Sequence, residues 1–280
     1  MQKITEAIVK RTICKRKAQS HKGTYGRVMT IGGNRQFGGA IILSTSAAVY
    51  AGSGLVTCVT DPINFASLHA RLPEAMVVSN QDATSIKQLL PTMDVVVIGP
   101  GLGENYQALK LLELTFSTIQ KQQTLIIDGS AISLIASHHL TLPNAHLIFT
   151  PHQMEWQRLS GLPIKAQTPS NNRQAQEKLA GTVIVKSHRT EVYLATSKDN
   201  WRNTAGTAAM ATGGMGDTLT GIIAGFVAQF NDSDQAILAA VYTHSKIADY
   251  LAKKQYVVLP SQIITHLPEY MAKMAQSEND

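Results

Sequence analysis

Val95-Val96-Val97-Ile98-Gly99-Pro100-Gly101-Leu102-Gly103-Glu104 sets the pattern for the whole chain. Four apolar, β-branched residues make a short strand, and the glycines and proline that follow end it in a tight turn. The same grammar recurs on both sides. Short apolar runs at Arg27–Ile31, Leu55–Thr60, Ala75–Val78, Thr124–Ile127, His146–Phe149, Val183–Lys186 and Val192–Ala195 read as further strands. Amphipathic stretches at 39–51, 105–120, 130–138, 153–160, 171–179, 217–230 and 234–252 read as helices. Strand, helix, strand repeated in this way predicts an α/β fold with a mainly parallel central sheet covered by helices on both faces. No internal repeat, low-complexity tract or linker divides the chain, so a single domain over 1–280 is expected.

Bulk properties narrow the function classes. Hydrophobic residues make up 44% of the 280 and charged residues 16%, a composition that can bury a large core and lies far from that of disordered chains. The net charge of +6 is modest, and its densest source is Lys10, Arg11, Lys15, Arg16 and Lys17. No aromatic residues interleave with that run, so it reads as a solvated helix face and loop, and no nucleic-acid partner is expected. The two cysteines, Cys14 and Cys58, have neither a metal-ligand nor a paired spacing, which points to a reducing compartment and a cytoplasmic location. No apolar run reaches the roughly 20 residues of a membrane span, and the first residues lack the apolar core of a signal peptide.

In open α/β sheets ligands bind beyond the carboxyl ends of the strands. The loops expected there are rich in glycine: Gly32-Gly33-Asn34 to Gly38-Gly39, Gly99 to Gly103, Asp128-Gly129-Ser130, Thr150-Pro151-His152, and Gly213-Gly214-Met215-Gly216-Asp217. The last is the strongest signal. Glycines let successive backbone N–H groups converge, and the helix that follows brings the positive end of its dipole to the same point. Asp217 stands at the mouth of that anion socket, where a carboxylate could take a proton from an attacking hydroxyl. A bare N-cap is the plainer reading of Asp217. Gly221 and Gly225 suggest that this helix packs tightly on a neighbour.

Other motifs carry less. A dinucleotide fingerprint beginning at Gly99 would need glycine at 104, where Glu104 stands. His152 and Glu155, three apart at a helix start, fit a capping box as well as a site. Lys186-Ser187-His188-Arg189-Thr190, between two strands, suits a nucleotide phosphate or ribose, or is a polar hairpin tip. Walker A, H-E-x-x-H and G-x-S-x-G patterns are all absent from the sequence.

Taken in order, Lys22 to Val28, Ile31-Gly32-Gly33, Gly38-Gly39-Ala40, Ala51 to Val56, Gly99 to Gly103, Asp128-Gly129, Thr150-Pro151-His152 and Gly213 to Asp217 resemble the ADP- or ATP-dependent NAD(P)H-hydrate dehydratases. These are a branch of the ribokinase-like superfamily, and the resemblance covers nearly the whole chain. It implies a ribokinase-like fold with no separate lid domain. The implied activity is repair of hydrated NADH and NADPH, in S form, driven by ADP or possibly ATP with Mg2+. By that resemblance Asp217 is the base and Gly214, Met215 and Gly216 hold the transferring phosphoryl. Ala40, Gly103, His152 and Asp217 contact the hydrate, while Lys186, Ser187, His188, Arg189, Thr190 and Gly216 contact the nucleotide. Glu155 resembles an acidic residue that organises magnesium through water.

Two departures stand out. Met215 replaces a small hydroxyl residue, and Gln153-Met154 replaces Pro-Gly. The resemblance also implies a homotetramer and a separate epimerase as functional partner, since the epimerase domain of some relatives has no counterpart here. A ribokinase-like kinase of a vitamin precursor or sugar is the alternative.

Overall fold

A computed structural model describes residues 1–276; the expected single domain extends over 277–280, which lie outside the described residues. Ten strands form one sheet among those residues. They are β1 (Gln2–Ile4), β2 (Arg27–Ile31), β3 (Leu55–Thr60), β4 (Met76–Ser79), β5 (Val95–Ile98), β6 (Thr124–Ile127), β7 (His146–Phe149), β8 (Thr182–Val185), β9 (Glu191–Tyr193) and β10 (Asn200–Asn203). Their spatial order is β1-β10-β9-β8-β7-β6-β5-β2-β3-β4. Every neighbouring pair is parallel except those made by β9, which runs against both β8 and β10.

The helices are α1 (Glu6–Thr12), α2 (Gly38–Tyr50), α3 (Phe65–Arg71), α4 (Ala83–Leu89), α5 (Tyr106–Thr118) and α6 (Gly129–His138). They continue with α7 (Gln153–Ser160), α8 (Pro169–Leu179), α9 (Met215–Gln229), α10 (Ser233–Leu251) and α11 (Pro260–Gln276). No separate lid stands over the sheet among the described residues, and no described helix is long and apolar enough to cross a membrane.

The two-sided cover follows from the pleat. Successive side chains of a strand point to opposite faces. Val95 and Val97 accordingly join a core with α9, α10 and α11, whereas Val96 and Ile98 join another with α5, α6 and Trp156. The central strand β5 is apolar without a break because each of its faces meets helices.

Seven of the eight expected strands are found within a residue of their predicted ends; only β9 differs more, stopping two residues before the expected Ala195. The first strand is not at residue 27, as the sequence suggested, but at Gln2. It pairs with β10, which the sequence also hid, because both are short, polar pieces at one edge of the sheet. The short α3 and α4 escaped the pattern, as did α11, whose interior holds Pro268. The basic run begins on α1 with Lys10 and Arg11 in its last turn, where cations suit the helix dipole.

The winding of the sheet reverses between β2 and β5. From β2 the chain moves outward to β3, and from β5 it moves the other way to β6. A crevice must open at that switch point, at the carboxyl ends of the two strands.

Candidate active site

Five loops meet around this crevice. The turns after β2 and β5 are tied together: Gly33 N–H donates to Pro100 O at 2.9 Å and Asn34 N–H to Gly101 O at 2.7 Å. Gly103 N–H donates to Ser130 Oγ at 3.2 Å, which joins the turn after β6 to the same rim. Ala40, in the first turn of α2, lies with its Cβ 3.1 Å from where a β-carbon on Gly101 would stand. One turn further along α2, Leu43 Cδ1 lies 2.4 Å from the equivalent point on Gly214. The turn before α9 and the start of α2 therefore share one mouth.

Gly214 caps α9 from a left-handed conformation, φ 92°, which glycine adopts without steric cost. The first N–H groups of a helix have no partner inside it, and no side chain caps this one. Asp217 is thus not an N-cap, the plainer reading of the sequence. It belongs to the first turn, beside the free donors. Downstream, α9 packs closely on α2: a β-carbon on Gly221 would stand 2.1 Å from Ser44 O and 2.7 Å from Ala47 Cβ. The tight packing expected of Gly221 and Gly225 is what the structure has.

A charged cluster lies under this turn. Lys186 Nζ donates to Asp128 Oδ1 at 2.6 Å, and Thr150 Oγ1 donates to the same oxygen at 2.7 Å. Lys186 Nζ is also 3.1 Å from where a β-carbon on Gly216 would stand, so the ammonium reaches the N-terminus of α9. Burial opposes its charge, but Asp128, Glu155 and Asp217 together push its pKa up. Lys186 stays protonated. Burial and repulsion from Asp128 push the carboxyl of Asp217 up to about 6, against the pull of Lys186. Glu155 is also raised, first by burial, with Asp128 adding to it and Lys186 and His152 opposing.

His152 and Glu155 form a reciprocal capping box on α7. The imidazole Nδ1 accepts from the N–H groups of Met154 and Glu155 at 3.1 and 3.2 Å. Glu155 Oε2 accepts from His152 N–H at 2.7 Å, and Nε2 of the ring lies 3.2 Å from Oε1. An Nδ1 that accepts from backbone leaves the proton of the neutral ring on Nε2. Gln153 and Met154 are the first two residues of this helix. The structure also brings His152 to Lys186, with which it makes an isolated parallel bridge.

Beside the cluster opens a cavity of about 540 Å3, within the range of small-molecule sites. Lys186, Ser187, His188, Arg189, Thr190, Met215 and Gly216 line one side. The segment 205–211 and the α10 residues Val241, His244 and Ser245 line the other. The proposed nucleotide set is thereby brought together, whereas Ala40, Gly103 and His152 do not line this cavity; they lie at the glycine turns and the α7 start across the charged cluster.

Reasoning from the sequence missed Asp128, although its turn was noted, because an acidic strand end has no signature without its lysine partner. It missed His244 and Ser245 as well, since an amphipathic helix gives no sign of which residues meet a void.

Comparison with known proteins places the architecture first. A ribokinase-like superfamily protein from Enterococcus faecalis V583 superposes with a TM-score of 0.96 at 49% identity, covering 99% of this chain and 97% of that one. An ADP/ATP-dependent NAD(P)H-hydrate dehydratase from Bacillus subtilis, co-crystallised with ATP/Mg2+, gives 0.87 at 26% identity, with 98% of each chain covered. Among sequences, an ADP-dependent (S)-NAD(P)H-hydrate dehydratase from Lactiplantibacillus plantarum is 56% identical over 278 residues, 99% of each chain. The family model for NAD(P)H-hydrate dehydratase matches residues 28–269, and the chain belongs to that family.

Proposed function

We propose that the chain uses ADP to remove water from the S form of hydrated NADH or NADPH, restoring the cofactor and releasing AMP and phosphate. Hydroxide leaves poorly from carbon, and phosphate leaves well. Asp217 accepts the proton of the ring hydroxyl, whose oxygen then bonds to the terminal phosphorus of ADP as the bridging oxygen leaves with AMP. Loss of phosphate from the ring, with a proton from the adjacent carbon, restores the double bond. The balance is hydrated cofactor plus ADP giving cofactor, AMP and phosphate.

One observation carries this reading. A half-buried carboxylate with a pKa raised to about 6, the free N–H groups of an uncapped helix and a largely buried lysine converge beside a cavity of nucleotide size. The N–H groups of Gly214 to Gly216 and the Lys186 ammonium face the phosphoryl charge, and Asp128 holds that ammonium in place. Lys186 to Thr190 and Gly216 bind the nucleotide, and Ala40, Gly103 and His152 bind the hydrated nicotinamide.

No group of three or more His, Cys, Asp or Glu able to hold a metal directly occurs among the described residues. That suits magnesium, which keeps most of its waters and takes the rest of its shell from phosphates. Glu155, whose pKa is raised first by its burial and then by Asp128, would hold the ion through water, and the bound ion would neutralise phosphate charge. The enzyme works in the cytoplasm as a homotetramer, with a separate epimerase supplying the S form.

The test is direct. Chemically hydrated NADH with ADP and Mg2+ regains the absorbance of NADH, with AMP and phosphate released in equal amounts. Nucleotide turnover with no recovered NADH, and with a vitamin precursor or sugar phosphorylated instead, would replace this reading by that of a kinase.

A further inference from the structure

Asn34 lies in the turn after β2, on the rim of the switch-point crevice, and has no part in the proposed chemistry. Its backbone N–H donates to Gly101 O, which fastens it to the turn after β5. Its side chain is fixed as well. Oδ1 accepts from the N–H groups of Gln36 and Phe37, both at 2.9 Å. An amide whose oxygen takes two backbone donors must turn its nitrogen the other way, which decides the orientation of this side chain.

That nitrogen stands against Gly103. A β-carbon on Gly103 would lie 2.5 Å from Nδ2, and the glycine holds φ 83°, so the turn after β5 leaves its side-chain space to the amide. Nδ2 has no acceptor among the described residues, and it is not sealed from the surface. The loop that carries it is braced from behind. Gly33 O accepts from Thr60 Oγ1 at 2.8 Å and from Asn64 Nδ2 at 2.9 Å. Asn64 Oδ1 stands 2.1 Å from where a β-carbon on Gly38 would lie, at the start of α2. A donor of fixed direction, with nothing in the protein to receive it, is thus presented at the crevice beside Gly103.

We infer that Asn34 is a specificity-determining residue for the acceptor substrate, its Nδ2 donating to the carboxamide oxygen of the hydrated nicotinamide. This rests on the reading of the site given above, in which Gly103 and Ala40 meet that ring. The hydrated ring carries two oxygens, its hydroxyl and its carboxamide carbonyl. The hydroxyl must give its proton to Asp217 and a lone pair to phosphorus, so a donor held on it would oppose the transfer. The carbonyl takes part in neither step, and a fixed donor on it holds the ring in place while the hydroxyl reacts.

Two substitutions separate the amide from its surroundings. Asn34→Asp keeps an oxygen for Gln36 and Phe37 and replaces the donor by an acceptor of the same shape. Asn34→Ser keeps a shorter oxygen for the same N–H groups, adds no charge and is too short to reach Gly103. The full chain is titrated calorimetrically with hydrated NADH, without nucleotide so that nothing turns over. Each variant should bind it more weakly by about 10-fold, the scale of one hydrogen bond. NADH, which has the carboxamide and lacks the hydroxyl, should lose affinity by the same factor, while ADP with Mg2+ should bind as it does to wild type.

Folded variants that bind hydrated NADH as tightly as wild type overturn the inference. A loss confined to Asn34→Asp also overturns it, since that would report the added charge. A loss confined to the hydrate, with NADH unaffected, would put Asn34 on the hydroxyl and overturn the carboxamide assignment. The dehydratase reading fails by a different result, a wild type that recovers no NADH from the hydrate with ADP. In that case the titrations still decide Asn34, and a wild type that binds neither hydrated NADH nor NADH overturns both.

Discussion

Lys186 and Asp128 make the shortest charged contact of the site, 2.6 Å between Nζ and Oδ1, from residues 58 apart in sequence. The carboxylate side chain is 3% exposed and the lysine side chain 17%. Removing one partner of such a pair strands the other charge away from water, at a cost of about 3 kcal/mol or more. Lys186→Met should therefore lower the melting temperature by several degrees. Adding Asp128→Asn should restore most of that loss without restoring turnover. Calorimetry on the three variants, with steady-state assays, checks both halves.

Asp217→Asn should keep nucleotide binding and lose turnover by roughly 100-fold or more, the scale of a lost general base. Wild-type turnover in that variant would remove Asp217 from the mechanism. The stability effect has the opposite sense. A carboxyl whose pKa rises on folding, here from 3.8 to about 6, favours the fold at low pH. That contribution disappears as pH climbs through about 6. At pH 8 the asparagine variant should melt higher than wild type.

The same shift shapes the pH profile. Turnover per nucleotide bound should rise through about pH 6 and level off above it, as Asp217 ionises. Lys186 opposes the raising of that pKa, so in Lys186→Met the acid limb should move to higher pH. A limb that stays in place would show that the lysine does not act on Asp217.

Glu155→Gln keeps an acceptor for His152 N–H and removes the negative charge. The magnesium concentration for half-maximal turnover should rise about 10-fold or more, the usual cost of losing an outer-shell partner of a metal, while the melting temperature changes little. Titration of magnesium into the ADP complex provides the measurement, and an unchanged magnesium requirement would confine Glu155 to the capping box.

The sheet and its rim were legible because parallel strands buried on both faces must be apolar throughout, and because glycine turns betray themselves by composition. Val95–Ile98 and Gly213 to Asp217 both say where they belong. The edge was not legible. Gln2–Ile4 and Asn200–Asn203 become strands only by finding each other across nearly two hundred residues of chain, and neither is apolar enough to announce it. Within the site, Lys186 could be assigned to a nucleotide from its own neighbours, but its contact with Asp128 exists only once β6 and β8 are set on either side of β7. His244 looked like any other residue of a buried helix.

The close seam between α9 and α2 joins the two halves of the proposed site. Ser44 O stands where a side chain on Gly221 would have to go, so the two helix backbones approach as closely as only glycine allows. Ala40, where the nicotinamide would arrive, and Gly214 to Gly216, where the phosphoryl would be held, stand at the starts of these two helices. Under the proposed reading, that close seam sets how far apart the two helix starts, and with them the two pockets, can stand.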